Sequence, residues 1–231
     1  MTATAEVTDA LRALFPSVEP ADLALCVRRA ADDLGGSVHD SALPEMLTRL
    51  ARLRLTSRLL GDDPDLATEL YSAGTLPEVA RLARRAVRDR LGCAGVTFVV
   101  RDGDKCFYAD EDSIAPLWAG QRFPITECVS GWAMLHAEPA VIDDIELDER
   151  VPLAAYRSTY VRSMIVVPVS GPGAPAATIG AYWAETHRAG RADLGWLQGV
   201  AQATGAAVTA IGLAEAPWAP TFDPAGEETD A

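Results

Sequence analysis

The sequence has 231 residues, of which 49% are hydrophobic and 23% are charged, and this composition excludes a largely disordered or collagen-like chain. Its 33 acidic and 20 basic residues leave a formal net charge of −13, which disfavours binding to nucleic-acid phosphates. The sequence also lacks the apolar run of about 18 residues that a membrane-spanning helix needs. From the charge and this absence, we expect neither nucleic acid nor a membrane as a partner.

Residues 1–61 are predicted to form a small helical domain. Apolar side chains recur at helical spacing after Pro20 and stop at Gly35-Gly36, and a second apolar stripe runs from Leu43 to Leu53. Two or three short helices bury little area alone, so we expect this domain to pack against a second copy or against the rest of the chain. The turn-forming run Gly61-Asp62-Asp63-Pro64 marks the predicted boundary.

Residues 62–213 are predicted to form an α+β domain built on an antiparallel sheet. Thr75 and Glu78 have the spacing of a capping box, which predicts a helix that ends at Gly92. The hydrophobic pattern then changes to period two, and the turn Asp102-Gly103 predicts a hairpin between two strands. The further predicted elements are a helix at Ser130–His136, strands at Ala140–Ile142, Ser163–Val169 and Thr178–Trp183, and a long helix at Arg191–Leu213.

The two ends of the chain and its cysteines bear on where the protein works. The segment Met1–Phe15 lacks the basic and apolar regions of a secretory signal. The four cysteines form no Cys-x-x-Cys pair, which is typical of reduced thiols, so we expect a cytoplasmic protein. Residues 214–231 contain three prolines and five acidic residues and are predicted to form a disordered acidic tail.

Residues 75–213 contain a series of short motifs. The motifs are Val129-Ser130-Gly131-Trp132-Ala133, Pro139-Ala140-Val141-Ile142-Asp143-Asp144-Ile145, Asp148-Glu149-Arg150-Val151-Pro152, Tyr156–Ser163, Val166–Val169 and Ile179–Trp183. In their kind and order they resemble the motifs of GAF domains, a family of sensory domains that bind small molecules. The sequence is similar in particular to GAF sensor modules attached to bacterial histidine kinases. This resemblance implies a five- to six-stranded antiparallel sheet with helices on one face and a ligand pocket on the other. It also implies that the first and last helices of the domain pair in a dimer.

The helical domain has a weaker resemblance of its own. The segment Phe15–Leu60 resembles a small three-helix dimerisation module of bacterial proteins, through its helix spacing and the run Leu50-Ala51-Arg52-Leu53-Arg54-Leu55. Both parts of the chain therefore lead us to expect a homodimer.

The GAF resemblance also points to a set of candidate pocket residues. Ser130 and Gly131 begin a short helix whose free amides suit an anionic group, with the alternative that Ser130 only caps the helix. Asp144 and Arg150 are implied as a structural pair that fixes a loop. The aromatic members either line a cleft for a flat ligand or fill core volume. The full set is Ser130, Gly131, Trp132, Asp144, Arg150, Tyr156, Tyr160, Ser163 and Trp183.

The known enzymes of the GAF family are methionine sulfoxide reductases, so the resemblance raises the possibility of this activity. They carry one cysteine in a Val-Cys-Gly element and another in the following loop. Here Ser130 stands at the first position and Tyr156 lies near the second. Because a hydroxyl cannot form a disulfide relay, we predict no catalytic residues, while a relay shifted to Cys128 stays open as an alternative.

No cofactor is assigned from the sequence. The string Asp104-Lys105-Cys106-Phe107 matches the D-x-C-F string of some bilin-binding photoreceptors, but it lies earlier in the domain and no Cys-His pair follows it. The acidic residues at 143–149 lack EF-hand spacing, so we predict no metal site. His39, His136 and His187 lie far apart in sequence, and a histidine ligand to haem stays open.

The sequence thus predicts a non-enzymatic cytoplasmic signalling protein. Its GAF domain would bind an unidentified small molecule and bias the packing of Thr75–Leu91 and Arg191–Leu213 across a homodimer. The signal would then pass to a separate output protein such as a kinase or another regulator. The alternatives are a thiol-dependent redox enzyme of the GAF methionine sulfoxide reductase type and a ligand-free protein-interaction module.

Overall fold

The computed structural model describes residues 3–15, 18–35, 38–39, 41–61, 63–169, 174–212 and Phe222. The helices are α1 (Ala3–Leu14), α2 (Pro20–Leu34), α3 (Leu43–Leu60), α4 (Pro64–Ser72), α5 (Leu76–Leu91), α6 (Val129–His136), α7 (Leu153–Tyr156) and α8 (Arg191–Ala210), with a 3-10 helix at Ile125–Glu127. The strands are β1 (Gly95–Asp102), β2 (Lys105–Ser113), β3 (Arg122–Pro124), β4 (Ala140–Ile142), β5 (Ser163–Val169) and β6 (Ala177–Trp183). Within these ranges, no helix combines the length and the apolar character needed to cross a membrane.

The strands form a six-stranded antiparallel sheet in the order β3-β2-β1-β6-β5-β4, which confirms the predicted α+β fold. β1 and β2 are the predicted hairpin: Asp102 pairs with Lys105, and the turn between them holds Gly103 at φ +60°, a conformation that favours glycine. β5 and β6 pair along their whole length, from Ser163 opposite Trp183 to Val169 opposite Ala177. β3 was not predicted; it pairs with β2 through only three residues, from Lys105 opposite Pro124 to Phe107 opposite Arg122.

The sheet separates two hydrophobic cores, since alternate residues of each strand point to opposite faces. In β5, Ile165 and Val167 join the core on the helix face, where α4, α5 and α8 pack. Met164 and Val166 join the core on the opposite face, where α6 and the loops around α7 pack. We call this second side the pocket face, because the family resemblance places a ligand there.

The helices α1, α2 and α3 enclose a small core of their own, so the predicted helical domain is present. Its fully buried side chains include Leu11, Phe15, Leu23, Leu47 and Leu55. This core continues into α8, because Ala206 packs among the same side chains. The helical domain is therefore docked onto the α+β domain of the same chain.

The helix α8 lies inside the molecule. All its residues from Gly199 to Val208 are buried, since α3, α4 and α5 pack around it and β5 lies beneath it. The helices α3 and α8 meet closely at Gly199, where a Cβ atom would lie only 2.7 Å from the carbonyl oxygen of Leu59. The chain's own helical domain is thus one packing partner of α8.

The helix α5 begins and ends at the predicted positions, but one of the two hydrogen bonds at its start has a different partner from that of a capping box. The side chain of Thr75 accepts a hydrogen bond from the backbone N–H of Glu78 (3.3 Å), as in a capping box. The carboxylate of Glu78, however, accepts its hydrogen bond from Gly74 (3.1 Å). α5 ends at Gly92, which has φ +56°.

The predicted acidic tail, residues 214–231, lies outside the described residues except for Phe222. The ring centre of Phe222 lies 6.1 Å from that of Phe98, and Phe222 packs against the core on the helix face.

The contact between α3 and α8 predicts a position-specific effect of a larger side chain. We expect Gly199→Val to lower the free energy of unfolding by about 2 kcal/mol, because the new side chain must displace the backbone at Leu59. Gly195→Val on the same helix is the matched control, since a Cβ there meets nothing within 4 Å and the residue is exposed. Urea unfolding of both variants measures the difference, and equal stabilities would contradict the docking of α3 on α8.

Candidate functional site

Four aromatic rings fill the centre of the pocket face, and we call them the aromatic cluster. Trp118 comes from the loop between β2 and β3, and its ring centre lies 5.0 Å from that of Tyr156, 5.3 Å from that of Tyr108 and 5.8 Å from that of Tyr182. All four residues are buried. Burial raises the pKa of each of the three phenols above its ordinary value, so they remain neutral at physiological pH.

The loop that carries Trp118 is held by one carboxylate. Glu111 of β2 accepts hydrogen bonds from the backbone N–H groups of Leu117, Trp118 and Ala119, each 2.9 Å long. Hydrogen bonds to an ionised acceptor are stronger than neutral ones, so this contact fixes the loop backbone and with it the Trp118 ring. Sequence analysis missed both Glu111 and Trp118, because a contact between a strand and the loop after it has no periodic signal.

The start of α6 is built around a glycine and a cysteine. A Cβ atom at Gly131 would overlap the carbonyl group of Ile125, so only glycine fits at this point. The Sγ atom of Cys128 accepts a hydrogen bond from the backbone N–H of Gly131 (3.3 Å), which makes Cys128 the N-cap residue. The alternative that Ser130 caps this helix is therefore wrong: Ser130 is the second residue of α6 and is buried beside the Tyr108 hydroxyl.

Two buried cysteines belong to the core on the pocket face, Cys106 in β2 and Cys128 just before α6. The side chain of Cys106 lowers the pKa of the Cys128 thiol, against the opposing effect of burial. The same interaction and burial raise the pKa of Cys106. Of the two groups, Cys128 is thus the one that favours the thiolate form.

Arg150 is held at the edge of the site, although its partner is not the predicted one. Its guanidinium binds Asp148 (2.6 Å), donates to the carbonyl of Val141 (3.1 Å) and lies 4.8 Å from the ring centre of Trp132. The predicted pair of Asp144 and Arg150 is wrong. Asp148 is nearer in sequence and receives both side-chain and backbone donors from Arg150.

Asp144 has its own partners in the loop before β5. Its carboxylate accepts from the backbone N–H of Glu146 (3.0 Å) and lies 3.7 Å from Arg162. Arg162 also binds the carboxylate of Glu146 (2.7 Å). Asp144 therefore orders one wall of the site.

Three other candidate residues lie away from the aromatic cluster. Trp183 is buried in the core on the helix face, where it stacks on His187 with ring centres 4.3 Å apart. The hydroxyl of Ser163 donates to the backbone carbonyl of Glu185 (2.8 Å). Tyr160 lies at the rim of the pocket face, with its hydroxyl 2.7 Å from Ser113 Oγ.

An open groove of about 550 Å³ lies beside the aromatic cluster. Tyr156 belongs both to the cluster and to the groove, so the groove shares a wall with the buried core. Among the candidates from sequence, Tyr156 alone lines this groove. The lining residues are Ile145, Glu146, Leu153, Tyr156, Arg157, Thr159, Val161 and Arg162.

The histidines and the acidic residues do not converge on this site. His136 stacks on Trp132, with ring centres 4.5 Å apart. The Nδ1 atom of His136 lies 2.8 Å from the backbone carbonyl oxygen of Trp132. His39 is bonded to Ser41 in the helical domain. Across the part of the chain that the structure describes, no group of three or more histidine, cysteine, aspartate or glutamate side chains is placed to hold a metal ion.

Comparison with known families decides what this fold is. The family model described as GAF domain matches residues 73–209, more than half of the chain. The chain belongs to the GAF domain family. The match begins within the short connection that leads from α4 to α5, so α1 to α4 precede the matched GAF domain.

Solved structures of GAF proteins share this fold at low sequence identity. The free methionine-R-sulfoxide reductase of Neisseria meningitidis, in complex with its substrate, is 20% identical with a TM-score of 0.58, over 71% of this chain and 93% of that one. The GAF domain of an Acinetobacter phosphoenolpyruvate-protein phosphotransferase is 15% identical with a TM-score of 0.56, over 71% and 97%. A methyl-accepting chemotaxis protein is 18% identical with a TM-score of 0.54, over 64% and 96%. A search of curated proteins finds no match.

The pair of Asp148 and Arg150 predicts a pH-dependent contribution to stability. Arg150 holds the pKa of the Asp148 carboxyl below its ordinary value, so the pair stabilises the fold above the pKa of the unfolded carboxyl, about 3.9. This contribution is lost as the pH falls through the folded pKa. We expect Asp148→Asn to lower the free energy of unfolding by about 1 kcal/mol at pH 7, with the difference shrinking toward pH 3.

Denaturant unfolding between pH 3 and pH 7 measures this effect. Asp143→Asn is the control. Asp143 lies 3.7 Å from Arg188, whose side chain is 92% exposed. We therefore expect this substitution to change the free energy of unfolding little at any pH. A constant difference between wild type and Asp148→Asn across this range would contradict the assignment.

Proposed function

We propose that this GAF domain is a ligand-sensing domain of a signalling protein and that its small molecule binds in the groove at Tyr156. The observation that carries the proposal is the shared wall: Tyr156 lines the groove, and the centre of its ring lies 5.0 Å from that of Trp118 in the aromatic cluster. A molecule that contacts Tyr156 would therefore act directly on the core of the pocket face.

The charges of the groove favour a small organic anion with an apolar portion. Leu153 is 40% exposed at the rim, and Val161 supplies a further apolar surface. Arg162 is neutralised by Glu146, whereas Arg157 has no carboxylate within ion-pairing distance among the described residues. Arg157 is exposed and free to pair with a carboxylate, sulfonate or phosphate of the ligand.

The proposed signal passes through the sheet. Trp118 also contacts Tyr182, and the neighbours of Tyr182 in β6, Ala181 and Trp183, join the core on the helix face. That core includes α8, which is in turn packed against α3. A shift in the aromatic cluster would thus change how the helical domain docks onto α8 within one chain, and a separate output protein such as a kinase would read that change.

A cytoplasmic location and a homodimer remain part of this proposal. The resemblance of Phe15–Leu60 to a dimerisation module supports a dimer contact through the helical domain.

A thiol-dependent redox enzyme is the second candidate function. Ser130 stands at the first thiol position that the reductase resemblance requires and Tyr156 lies near the second, which favours a non-enzymatic role. The presence of Cys106 and Cys128 in one core on the pocket face supports the thiol-dependent alternative. A reductase role would require methionine sulfoxide turnover that disappears when Cys128 is replaced by serine.

The groove predicts selective binding of an aromatic anion. With 8-anilinonaphthalene-1-sulfonate as the probe, we expect saturable fluorescence enhancement and about tenfold weaker binding in Arg157→Glu, since a charge-assisted contact is replaced by repulsion. Arg81→Glu is the matched control, because this substitution makes the same change in net charge. Arg81 is exposed on α5, away from the groove. Equal affinities in the two variants would remove the groove from the proposal.

A further inference from the structure

A cleft of about 320 Å³ lies between α2 and α3 of the helical domain and shares no lining residue with the groove at Tyr156. We call it the arginine cleft. Its volume falls within the range of about 300–1,000 Å³ that is typical of small-molecule sites. Most of its lining side chains are charged, which suits a charged ligand. The lining residues are Cys26, Arg29, Asp32 and Asp33 of α2 and Arg54 and Arg58 of α3.

Helical spacing explains why these charged side chains open on one cleft. In α2, Asp33 follows Arg29 by four residues, and in α3 the same interval separates Arg54 and Arg58. Residues four apart are neighbours on the same face of a helix. Each helix therefore contributes one charged face, and the cleft lies where the two faces meet.

Cys26 is the buried member of the lining. It is only 1% exposed, and its Sγ atom lies 3.9 Å from the backbone carbonyl oxygen of Ala51, so α2 and α3 are in contact beneath the charged side chains. Burial raises the pKa of this thiol, which keeps it neutral at physiological pH. Cys26 therefore adds no negative charge that would oppose an anion in the cleft.

The guanidiniums of the cleft are only partly neutralised. Arg54 binds the carboxylate of Asp33 at 2.6 Å. Arg29 and Arg58 are exposed, and among the described residues neither has a carboxylate within ion-pairing distance. Two uncompensated guanidiniums from two different helices therefore open on one cleft, in a chain whose net charge is −13. This local excess of positive charge favours an anionic ligand.

We propose that the arginine cleft binds the phosphate group of a small phosphorylated molecule. A guanidinium presents its N–H donors in a rigid fork that matches the oxygens of a phosphate. A dianionic phosphate gains from both Arg29 and Arg58, whereas a carboxylate has only one charge to share between them. The proposal concerns a second site, in the helical domain, and does not depend on ligand binding in the groove.

Asp32 indicates what the rest of the ligand carries. Its side chain is exposed in the lining, and no arginine or lysine lies within ion-pairing distance of it in the described part of the chain. A carboxylate accepts hydrogen bonds from hydroxyl groups and repels a second negative group. Since one water takes up about 30 Å³ in the liquid, a cleft of 320 Å³ has the volume of about ten waters, more than a phosphate group needs. A sugar phosphate meets both conditions.

A ligand in this cleft would also bear on the contact between the helical domain and the GAF domain. Arg58 is followed directly by Leu59, whose carbonyl oxygen faces Gly199 of α8. A ligand that joins α2 to α3 at Arg58 would therefore stabilise the part of α3 that docks onto α8.

The experiment is isothermal titration calorimetry of the full chain in a phosphate-free buffer, with ribose 5-phosphate as the probe. We expect saturable binding of ribose 5-phosphate, weaker binding of inorganic phosphate and no binding of ribose. Arg29→Gln/Arg58→Gln should weaken binding of ribose 5-phosphate at least tenfold, because it removes two charge-assisted contacts. Arg28→Gln/Arg49→Gln is the matched control: it makes the same change in net charge on the same two helices, and both residues are exposed outside the cleft lining.

Asp32→Ala separates a phosphate ester from free phosphate. Affinity for ribose 5-phosphate should fall several-fold, because the hydroxyl groups lose their acceptor, whereas affinity for inorganic phosphate should not fall. Equal affinities of the wild-type chain for the two probes would overturn the assignment of an ester and leave the cleft as a site for free phosphate.

Hydrogen exchange locates the bound probe. Saturating ribose 5-phosphate should slow amide exchange in peptides from α2 and α3, while peptides from β2 and β3 serve as the unchanged reference. The proposal would be overturned by the absence of saturable binding of either phosphate probe up to about 10 mM. Equal weakening in the cleft variant and the control variant, or protection confined to elements other than α2 and α3, would overturn it as well.

Discussion

The contact between Glu111 and the loop after β2 determines the character of the pocket face. Three backbone N–H groups converge on one carboxylate and hold Trp118 in the middle of Tyr108, Tyr156 and Tyr182. Without this contact the backbone of residues 117–119 would lose its hydrogen bonds to β2, and the largest ring of the cluster would be held less firmly. Tyr156, which lines the groove, is one of the rings that border on the position that Trp118 fills.

The second constraint is the burial of α8 between the sheet and the helical domain. A helix that is buried along Gly199–Val208 responds to both of its neighbours, so a change on either side must alter its packing. In this chain α3 packs on α8 together with α4 and α5. The helical domain is thereby part of the structural unit through which a signal from the GAF domain would pass.

The sequence predicted the regular parts of this structure well. The Asp102-Gly103 turn, the strands around Val141 and Val166 and the three-helix domain all follow local rules of turn chemistry and periodicity. The docking of α3 could not be predicted, because the face of α8 that it covers carries small residues such as Gly199 and Ala206, which give no hydrophobic signal.

The site was harder to predict than the fold, because its decisive contacts depend on loop geometry. Tyr156 lies in the core on the pocket face, whereas Trp183 lies on the opposite face because residues alternate along β6. Arg150 binds Asp148 instead of Asp144, a choice between two nearby carboxylates that spacing does not distinguish.

Amide hydrogen exchange in Glu111→Gln tests the central claim most directly. The account predicts exchange about 10- to 100-fold faster at the amides of Leu117, Trp118 and Ala119, since bonds to a charged acceptor contribute about 1.5–3 kcal/mol, with little change in β5 and β6. Unchanged protection at these three amides would contradict it, because the loop and Trp118 would then be held by something other than Glu111.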